Sequence, residues 1–412
     1  MENKTYICQK EDCTLCMACV NTCPKNAIKL TLDENGYECL SIDQALCINC
    51  GLCGNVCNRR NQVVRNQPIK SYALQLTEKK KLRKSASGGA FQAIAEWVLE
   101  QNGICYGCYG KFDEGEFQTG HIRIAKVEEL HKILNSKYTV SLINHTYKDI
   151  LSDLEKGLWV LFCGTPCQAQ GLKAFLKKDY EKLIVADIIC HGVTSSRIFN
   201  DYIDSIEVID NVKIQEYIFR DKSVSWGTNY KYTFIDRNGK KRDRHCPREE
   251  SSYMAHYLAG NLFRDSCYKC SLACTSRVSD LTLGDFWGIE KTHPELAKRR
   301  ENRMSLRNGV SCVLANTQKG IELIEILGSK VVVDETDLNS IVSNNGNLRK
   351  CSQKPPRRDL FMEDYRKNGY LPIEKKYRNR IRKKQRTYRM KNWVKSYMPD
   401  WVRIRLYKMF VK

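Results

Sequence analysis

The chain has 412 residues, 42% of them hydrophobic, which is enough for two or three domains with buried cores. Its formal net charge is +21, but residues 374–412 alone supply +13, so the remainder is only mildly basic and does not favour a nucleic-acid-binding core. No apolar run reaches the ~20 residues of a membrane span, and residues 1–12 lack a secretory signal. We therefore expect a cytoplasmic protein whose 21 cysteines are reduced and largely bind metal.

Eight cysteines form two copies of one spacing, C-x2-C-x2-C-x3-C, at residues 13–23 and 47–57. Bacterial-type ferredoxins with two four-iron clusters carry this spacing, and the fourth cysteine of each run crosses over to the other cluster. The first cluster is therefore assigned to Cys13, Cys16, Cys19 and Cys57. The second is assigned to Cys47, Cys50, Cys53 and Cys23. Zinc sites would use two separated CxxC pairs per metal, and a disulfide framework would need a secretory signal.

Short strands at 27–32 and 37–42 are predicted to flank the cluster loops. Cys8 and Cys39 lie outside the repeat, and we interpret them as buried apolar thiols. A polar link over residues 59–70 then leads into the larger part of the chain.

A strand at 71–76 is followed by Ser87-Gly88-Gly89, which opens a helix that ends at Gly103. The N–H groups of a helix entry rich in serine and glycine suit a phosphate. A plain helix N-cap is the alternative, and the residues alone favour it.

A βαβ unit is predicted from an apolar strand at 158–163, a helix over 168–178 and a second apolar strand at 183–189. Cys167 follows the first strand and Cys190 follows the second. Ligands gather beyond the carboxyl ends of parallel strands, so we expect these two thiols to meet.

Later elements include a hairpin that begins at 230–235, a strand leading to a turn within 279–288, and a strand, helix and strand over 311–335. Cys267-x2-Cys270 lies between them with the spacing of a metal-binding loop.

Several short motifs occur in one order along this part of the chain. They are Ser87-Gly88-Gly89, Ser136-Lys137-Tyr138, Gly164-Thr165-Pro166-Cys167-Gln168, Cys190-His191-Gly192, Phe219-Arg220-Asp221-Lys222, Cys267-Tyr268-Lys269-Cys270 and Gly284-Asp285-Phe286-Trp287-Gly288. With the ferredoxin-like repeat, this set closely resembles the coenzyme F420 hydrogenase/dehydrogenase beta-subunit family, from the first cluster motif to about residue 335. Asp265 stands where the family often has proline, and Cys105 and Cys108 stand where it usually has small or apolar residues. We interpret this CxxC as packing, because it lies within a strand.

The resemblance implies FAD and a third four-iron cluster. Its implied cluster ligands are Cys167, Cys190, Cys267 and Cys270, with Cys246, Cys274 and Cys163 as the rivals. Its implied flavin-binding residues are Ser87, Gly88, Gly89, Ser136, Lys137, Tyr138, Gly164 and Thr165, with Asp285 as a further candidate. His191 is a candidate proton donor. A histidine beside a cluster ligand that only donates a hydrogen bond is the alternative.

Residues 375–412 combine many Lys and Arg with aromatic residues. A solvated helical arm, a nucleic-acid-binding arm and an interfacial membrane anchor are the alternatives, and the apolar stretch at 401–411 favours the anchor.

The predicted fold class is an α+β ferredoxin domain fused to a mixed α/β flavoprotein domain, with a basic helical C-terminal tail. The predicted boundaries are 1–62 for the ferredoxin domain, 63–348 for the flavin and iron–sulfur domain (parts 63–150 and 151–348), and 349–412 for the tail. The predicted function is an oxidoreductase that passes electrons between 4Fe-4S clusters and FAD. It would reduce or oxidise a small organic substrate or a deazaflavin coenzyme, with a ferredoxin or reduced deazaflavin as redox partner. Many bacterial proteins of the family that the chain resembles accompany polysaccharide-biosynthesis enzymes. The resemblance therefore also implies a role in polysaccharide biosynthesis. The alternatives are a non-catalytic electron-transfer subunit of a larger complex and a cluster-bearing nucleic-acid protein, the latter disfavoured by the mildly basic core.

Overall fold

A computed structural model describes residues 7–61, 63–223, 225–298 and 304–397, together with Val402. The apolar stretch proposed as a membrane anchor at 401–411 lies almost entirely outside these residues. Within the described ranges, no helix is both long enough and apolar enough to cross a membrane.

The N-terminal unit is built from two short helices and one hairpin. Its elements are α1 (Ala18–Thr22), β1 (Ile28–Leu32), β2 (Glu38–Ile42) and α2 (Leu52–Asn55). β1 and β2 pair antiparallel, with Ile28 opposite Ile42, as the strand prediction requires. Met17 and Gly51 precede the two helices in left-handed backbone, which turns each cysteine loop sharply into its helix.

The central body contains an eight-stranded sheet. Its strands are β3 (Lys70–Leu76), β4 (Ile104–Asp113), β5 (Glu116–Ile124), β6 (Val160–Gly164), β7 (Leu183–Ile188), β11 (Leu281–Asp285), β12 (Ser311–Ala315) and β13 (Val331–Thr336). A separate three-stranded sheet has β8 (Lys213–Ile218), β9 (Tyr230–Ile235) and β10 (Lys241–Cys246).

Helices connect and cover these strands. They are α3 (Lys79–Lys84), α4 (Ala90–Glu100), α5 (Thr146–Glu155), α6 (Pro166–Leu176), α7 (Ser196–Asp210), α8 (Ser252–Leu258), α9 (Ile289–Thr292), α10 (Glu295–Lys298), α11 (Gln318–Ile326), α12 (Leu338–Val342), α13 (Arg358–Asn368), α14 (Leu371–Ile381) and α15 (Gln385–Tyr397).

The strand order of the large sheet is β13-β3-β12-β11-β7-β6-β4-β5. The four inner strands β11, β7, β6 and β4 run parallel, and the outer pairs are antiparallel. The predicted β6–α6–β7 unit is present, and its strands are buried on both faces because Leu161 packs into one apolar core while Val160 and Phe162 pack into another. The carboxyl ends of β6, β7 and β11 therefore share one edge, where the predicted site motifs follow.

The residues after 348 pack on the body. Met362 and Tyr365 of α13 and Tyr370 and Ile373 near the start of α14 join one buried cluster with Phe199 of α7. Arg378 of α14 bonds Asp210 and Glu374, and Arg389 of α15 bonds Glu250.

Candidate metal centres and cofactor cavity

The first group of four thiols collects around the start of α1. Burial raises the pKa of Cys19, and the nearby Cys16, Cys13 and Cys57 thiols raise it further. Cys57 therefore lies with the first cysteine run although it belongs to the second, as the crossover assignment expects.

Cys8 is close to this group as well. Hydrogen bonding between the Cys8 thiol and Cys13 and Cys57 raises the pKa of Cys8 and lowers that of both partners. The interpretation of Cys8 as a buried apolar thiol is wrong in this respect: it is half-buried and its neighbours are sulfur atoms. Cys39, also half-buried, lies 3.1 Å from the Thr31 hydroxyl.

The second group of thiols lines one small pocket. Its sulfur-bearing lining residues are Cys23, Cys47, Cys50 and Cys53. Cys23 reaches this pocket from the first run, and its Sγ accepts a hydrogen bond from the Ala27 N–H at 3.3 Å. Apolar side chains of Ile28 and Ile42 border the same pocket. The described part of the chain holds no set of three His, Cys, Asp or Glu side chains arranged for a single metal ion, and a four-iron cluster spreads its thiolates over four corners instead.

The third group of thiols lies at the edge where β6 and β7 end. Burial raises the pKa of Cys167, and nearby Cys190, Cys270 and Cys16 raise it further. Burial also raises the pKa of the Cys190 thiol, and the nearby Cys267 and Cys270 thiols raise it further. Cys267 lies in a short 3-10 helix, Asp265–Lys269, and Cys270 follows directly after it. The structure thus brings together all four thiols that the resemblance assigns to a third cluster.

The rival thiols lie apart from this group or have other neighbours. Cys246 belongs to the aromatic cluster beneath the small sheet. Cys274 is within 3.9 Å of Arg65 and close to Ser271 and Ser276 carbonyls. Cys163 borders the cavity, but the thiol that affects its pKa is Cys108 rather than any member of the third group.

Two buried arginines adjoin the thiol groups and test whether an anionic cluster fits. Arg277, only 1% exposed, lies near Cys190 and Cys270, and its Nε is 3.6 Å from an Asp187 carboxylate oxygen. Arg264 donates to the Cys13 carbonyl at 3.5 Å. Among the described residues, the Nε–H groups of both arginines lack a hydrogen-bond partner. Two buried guanidinium groups beside clustered thiols, each with one N–H group left without an acceptor, match the negative charge that ligated thiolates carry.

The first and third thiol groups meet where α1 packs on α6. A Cβ placed on Gly171 of α6 would lie 3.1 Å from the Cys16 sulfur. The Tyr147 hydroxyl is 2.9 Å from the Cys16 carbonyl and 2.8 Å from the Gln168 carbonyl, so it ties the first cysteine loop to the helix that begins beside Cys167.

A cavity of about 960 Å³ lies beside the third group, at the upper end of the range for ligand pockets. Its lining includes Cys167, Cys190 and, from the first cysteine loop, Thr14 and Leu15. Among the residues that the resemblance assigns to flavin, the lining includes Ser87, Gly89, Ser136, Lys137, Tyr138, Gly164 and Thr165. Asp285 and His191 line it too. The volume and the mixture of backbone amides, aromatic rings and cations fit a dinucleotide such as FAD.

Gly88 is the exception, because it does not line the cavity. A Cβ on Gly88 would lie 2.1 Å from the Leu74 carbonyl oxygen and 2.5 Å from the Ser311 nitrogen. Its N–H donates to the Ser311 hydroxyl at 2.9 Å. The glycine is therefore required because the segment before α4 passes closely against β3 and β12.

Lys137 lines the cavity. Its ammonium group donates to the carbonyls of Cys108 at 2.8 Å and Leu134 at 2.6 Å, and burial lowers its pKa. An ammonium has three protons, so one remains to face a ligand phosphate.

The Phe-Arg-Asp-Lys and Gly-Asp-Phe-Trp-Gly motifs meet in an ion pair. Arg220 binds both carboxylate oxygens of Asp285, the second at 2.9 Å, and the Trp226 indole N–H donates to the same carboxylate at 2.7 Å. Burial alone would raise the pKa of Asp285, but Arg220 and Trp226 lower it overall. The Trp226 and Trp287 rings stack at 4.6 Å, which gives the cavity a flat aromatic wall.

Two histidines border the cavity, and sequence reasoning named only one. His191 is exposed to the cavity, and the surrounding protein lowers its pKa. His121 was missed because no motif surrounds it. Its Nε2 donates to the Cys163 carbonyl at 3.0 Å, its Nδ1 accepts from Ser141, and burial lowers its pKa to about 4.

Comparison with known proteins agrees with this organisation. Residues 157–340 match the family described as the C terminus of the coenzyme F420 hydrogenase/dehydrogenase beta subunit, and residues 12–61 match the 4Fe-4S dicluster domain. Subunit IorA of indolepyruvate oxidoreductase from Archaeoglobus fulgidus is 50% identical over 52 residues, which is 12% of this chain and 7% of that protein.

Among solved structures, a chain of the F420-reducing NiFe hydrogenase complex of Methanosarcina barkeri, studied with xenon, aligns with a TM-score of 0.40 and 16% identity. The alignment covers 76% of this chain and 91% of that one.

The dicluster match and the cysteine spacing together define an iron–sulfur protein of the electron-transferring oxidoreductase type. Residues 157–340 thus form a domain similar to the C terminus of the coenzyme F420 hydrogenase/dehydrogenase beta subunit, and a ferredoxin-type domain precedes it at residues 12–61.

Proposed function

We propose that this chain is an iron–sulfur flavoprotein oxidoreductase with three 4Fe-4S clusters and one FAD. The clusters would carry single electrons and the flavin would exchange two with a small organic substrate or a deazaflavin coenzyme. The ligand sets are the three thiol groups described above. The observation that carries the proposal is that Cys167 and Cys190 line the same 960 Å³ cavity that the flavin-binding motifs line.

The route into this cavity is supported by the packing of α1 on α6. The Cys16 thiol is near enough to Cys167 to raise its pKa, and the Tyr147 hydroxyl bonds to both of their backbone segments. The second thiol group lies in the N-terminal unit, where Cys50 is exposed. An external electron donor or acceptor, such as a ferredoxin, would therefore approach at Cys50, and the cavity would be the opposite end of the path.

The cavity residues supply binding and orientation. Lys137 offers a proton to a phosphate oxygen, the Trp226–Trp287 wall offers a flat surface to a ring, and the Arg220–Asp285 pair fixes that wall. His191 faces the cavity beside Cys190, so it is the residue proposed to hold or move a proton at the substrate.

The deciding experiment measures iron, sulfide and flavin in anaerobically purified protein. We expect about twelve irons and one FAD per chain in the wild type, and about eight irons in Cys167→Ala. Cys163→Ala is the matched control, since this thiol also borders the cavity and is a rival ligand. It should keep the wild-type iron content.

Two outcomes contradict the proposal. Iron loss in Cys163→Ala rather than Cys167→Ala would reject the ligand set. About eight irons and no flavin in the wild type would leave a non-catalytic electron-transfer subunit as the better description.

We also propose peripheral contact with an anionic membrane through the C-terminal region. Helix α15 has no acidic residue and exposes Met390, Trp393 and Tyr397. The chain shortened to end at Lys384 should lose co-sedimentation with phosphatidylserine vesicles, and unchanged sedimentation would reject this contact.

A further inference from the structure

The C-terminal helix α15 reaches the cavity that the motifs of the body form. Tyr388 and Lys391 of this helix line the cavity together with Arg248 and Glu249, which lie in the 3-10 helix Arg248–Glu250. The family match ends at residue 340, so this wall comes from a part of the chain beyond it.

Helix α15 is held in this place by specific bonds. Arg389 donates to both carboxylate oxygens of Glu250, at 2.6 and 2.8 Å, and the Glu250 side chain is only 4% exposed. The Tyr377 hydroxyl of the preceding helix donates to the Glu249 carbonyl at 2.9 Å. A two-bond contact between arginine and a buried carboxylate fixes orientation as well as position.

The charges that line the cavity are unequal. Its Lys and Arg residues are Lys137, Arg220, Arg248 and Lys391, whereas its acidic residues are Glu249 and Asp285. Asp285 is bound by Arg220, and Glu249 lies 3.2 Å from Arg248. Within the described ranges Lys391 has no carboxylate partner, although it is exposed at the cavity. A cation left unpaired at the edge of a ligand cavity suits an anionic ligand group.

We propose that α15 completes the cavity and that Lys391, with Arg248 beside it, binds an anionic group of the ligand, a phosphate or a carboxylate. Two ligands could supply this group: the flavin, through its pyrophosphate, or the substrate. The proposal deepens the proposed function by naming the charge class that this end of the site accepts, and it rests on that function only where the anion belongs to flavin.

The test compares full-length Lys391→Gln and Lys391→Glu with Lys383→Gln, which changes an exposed lysine just before α15 that does not line the cavity. Binding of FAD and of riboflavin, which lacks phosphate, is measured by fluorescence quenching on flavin-depleted protein. Binding of inorganic pyrophosphate to flavin-loaded and flavin-depleted protein is measured by calorimetry.

Loss of one charge-assisted contact should weaken binding about 5- to 10-fold in Lys391→Gln and more in Lys391→Glu. If only FAD binding weakens, and riboflavin does not, the anion is the flavin pyrophosphate. If FAD binding holds while pyrophosphate binding to the flavin-loaded protein weakens, the anion belongs to a second ligand.

The proposal is overturned if both Lys391 variants bind FAD and pyrophosphate like Lys383→Gln, or if the wild type binds neither. A wild type that binds pyrophosphate through Lys391 but takes up no flavin would reject the flavoprotein function and keep the anion site. The two failures are therefore distinguishable.

Discussion

Asp285 shows how much of this molecule depends on single buried charges. Its side chain is 14% exposed, and its carboxylate accepts two bonds from Arg220, whose side chain is 5% exposed, and a third from Trp226. Removing one member of such a pair leaves the other as an uncompensated buried charge. This loss lowers the stability of a protein by more than the intact pair contributes to it. The ion pair therefore fixes the aromatic wall of the cavity and is also a point of vulnerability.

We expect Asp285→Asn to lower the free energy of unfolding by about 3–5 kcal/mol, because Arg220 would remain buried beside a neutral amide. Urea titration followed by circular dichroism measures the change. Glu335→Gln is the control: its carboxylate is 61% exposed in a surface pair with Lys70, so its loss should change stability by less than about 1 kcal/mol. Equal losses of stability in the two variants would show that the buried Arg220–Asp285 pair contributes no more to stability than an exposed surface pair.

His121 makes stability depend on pH. Burial lowers its pKa from 6.5 to about 4, so the unfolded chain binds the proton first as pH falls. Its neutral form therefore stabilises the fold above pH 6.5, and this contribution is lost between pH 6.5 and about 4.

Relative to His121→Gln, the wild type should lose about 2 kcal/mol of stability between pH 7 and pH 5. The measurement is the difference in urea midpoint at the two pH values for both proteins. Parallel changes in the two proteins would mean that His121 titrates normally.

Residue types and spacing predicted the first two thiol groups, since their cluster loops are local in sequence, whereas the third group, spread over residues 167–270, was expected only from the family resemblance. The Asp285–Arg220 pair could not be predicted, because its members are 65 positions apart and either could have been a surface charge. Gly88 was assigned to the cofactor, yet a glycine is needed there because the segment before α4 passes closely against β3 and β12. Local motifs identify which residues matter but do not separate ligand contacts from packing.

At the level of elements, α6 joins the N-terminal unit to the body. Gly171 lies on the face that meets α1, where a Cβ would lie 3.0 Å from the Cys16 Cβ and 3.1 Å from the Tyr147 hydroxyl. This close packing brings the first and third thiol groups together.

Gly171→Ala should therefore destabilise the junction by about 1–3 kcal/mol, since the added methyl group must displace buried neighbours. Electron paramagnetic resonance of the reduced protein should show a weaker magnetic interaction between clusters. The control is Gly346→Ala, where no atom lies within 4 Å of the added carbon. An unchanged spectrum and stability in Gly171→Ala would mean that the junction tolerates looser packing.

Elements with a strong local pattern were predicted well. The hairpin starting at 230–235, the buried β6 and β7 strands and their parallel pairing all occur in the structure. The order of β13, β3 and β12 was not predicted, because it depends on pairing between strands more than 200 residues apart.

At the scale of the whole molecule, the C-terminal helices differ in how they are attached. Met362, Tyr365, Tyr370 and Ile373 are buried in the aromatic core, whereas α15 is held mainly by the Arg389–Glu250 pair. Composition alone grouped all residues after 348 together, because burial of aromatic side chains among charged ones is not visible in a charge count.

A chain ending at Lys350 should fail to fold, because the four aromatic-core side chains that it loses are worth roughly 1.5–3 kcal/mol each, a total comparable to the stability of a whole domain. A chain ending at Lys384 should fold. Urea titration and dye binding to exposed apolar surface compare the two. A folded chain ending at Lys350 would contradict the role given to α13 and α14.

The cavity is walled by Thr14 and Leu15 at one end of the chain and by Tyr388 and Lys391 at the other. Translation therefore produces the first of these two walls long before the second. The N-terminal cysteine loops emerge early and can be loaded while the chain is still growing. The cavity is complete only after α15 has been synthesised, so a translation product interrupted before α15 would carry the cysteine loops but lack this wall of the cavity.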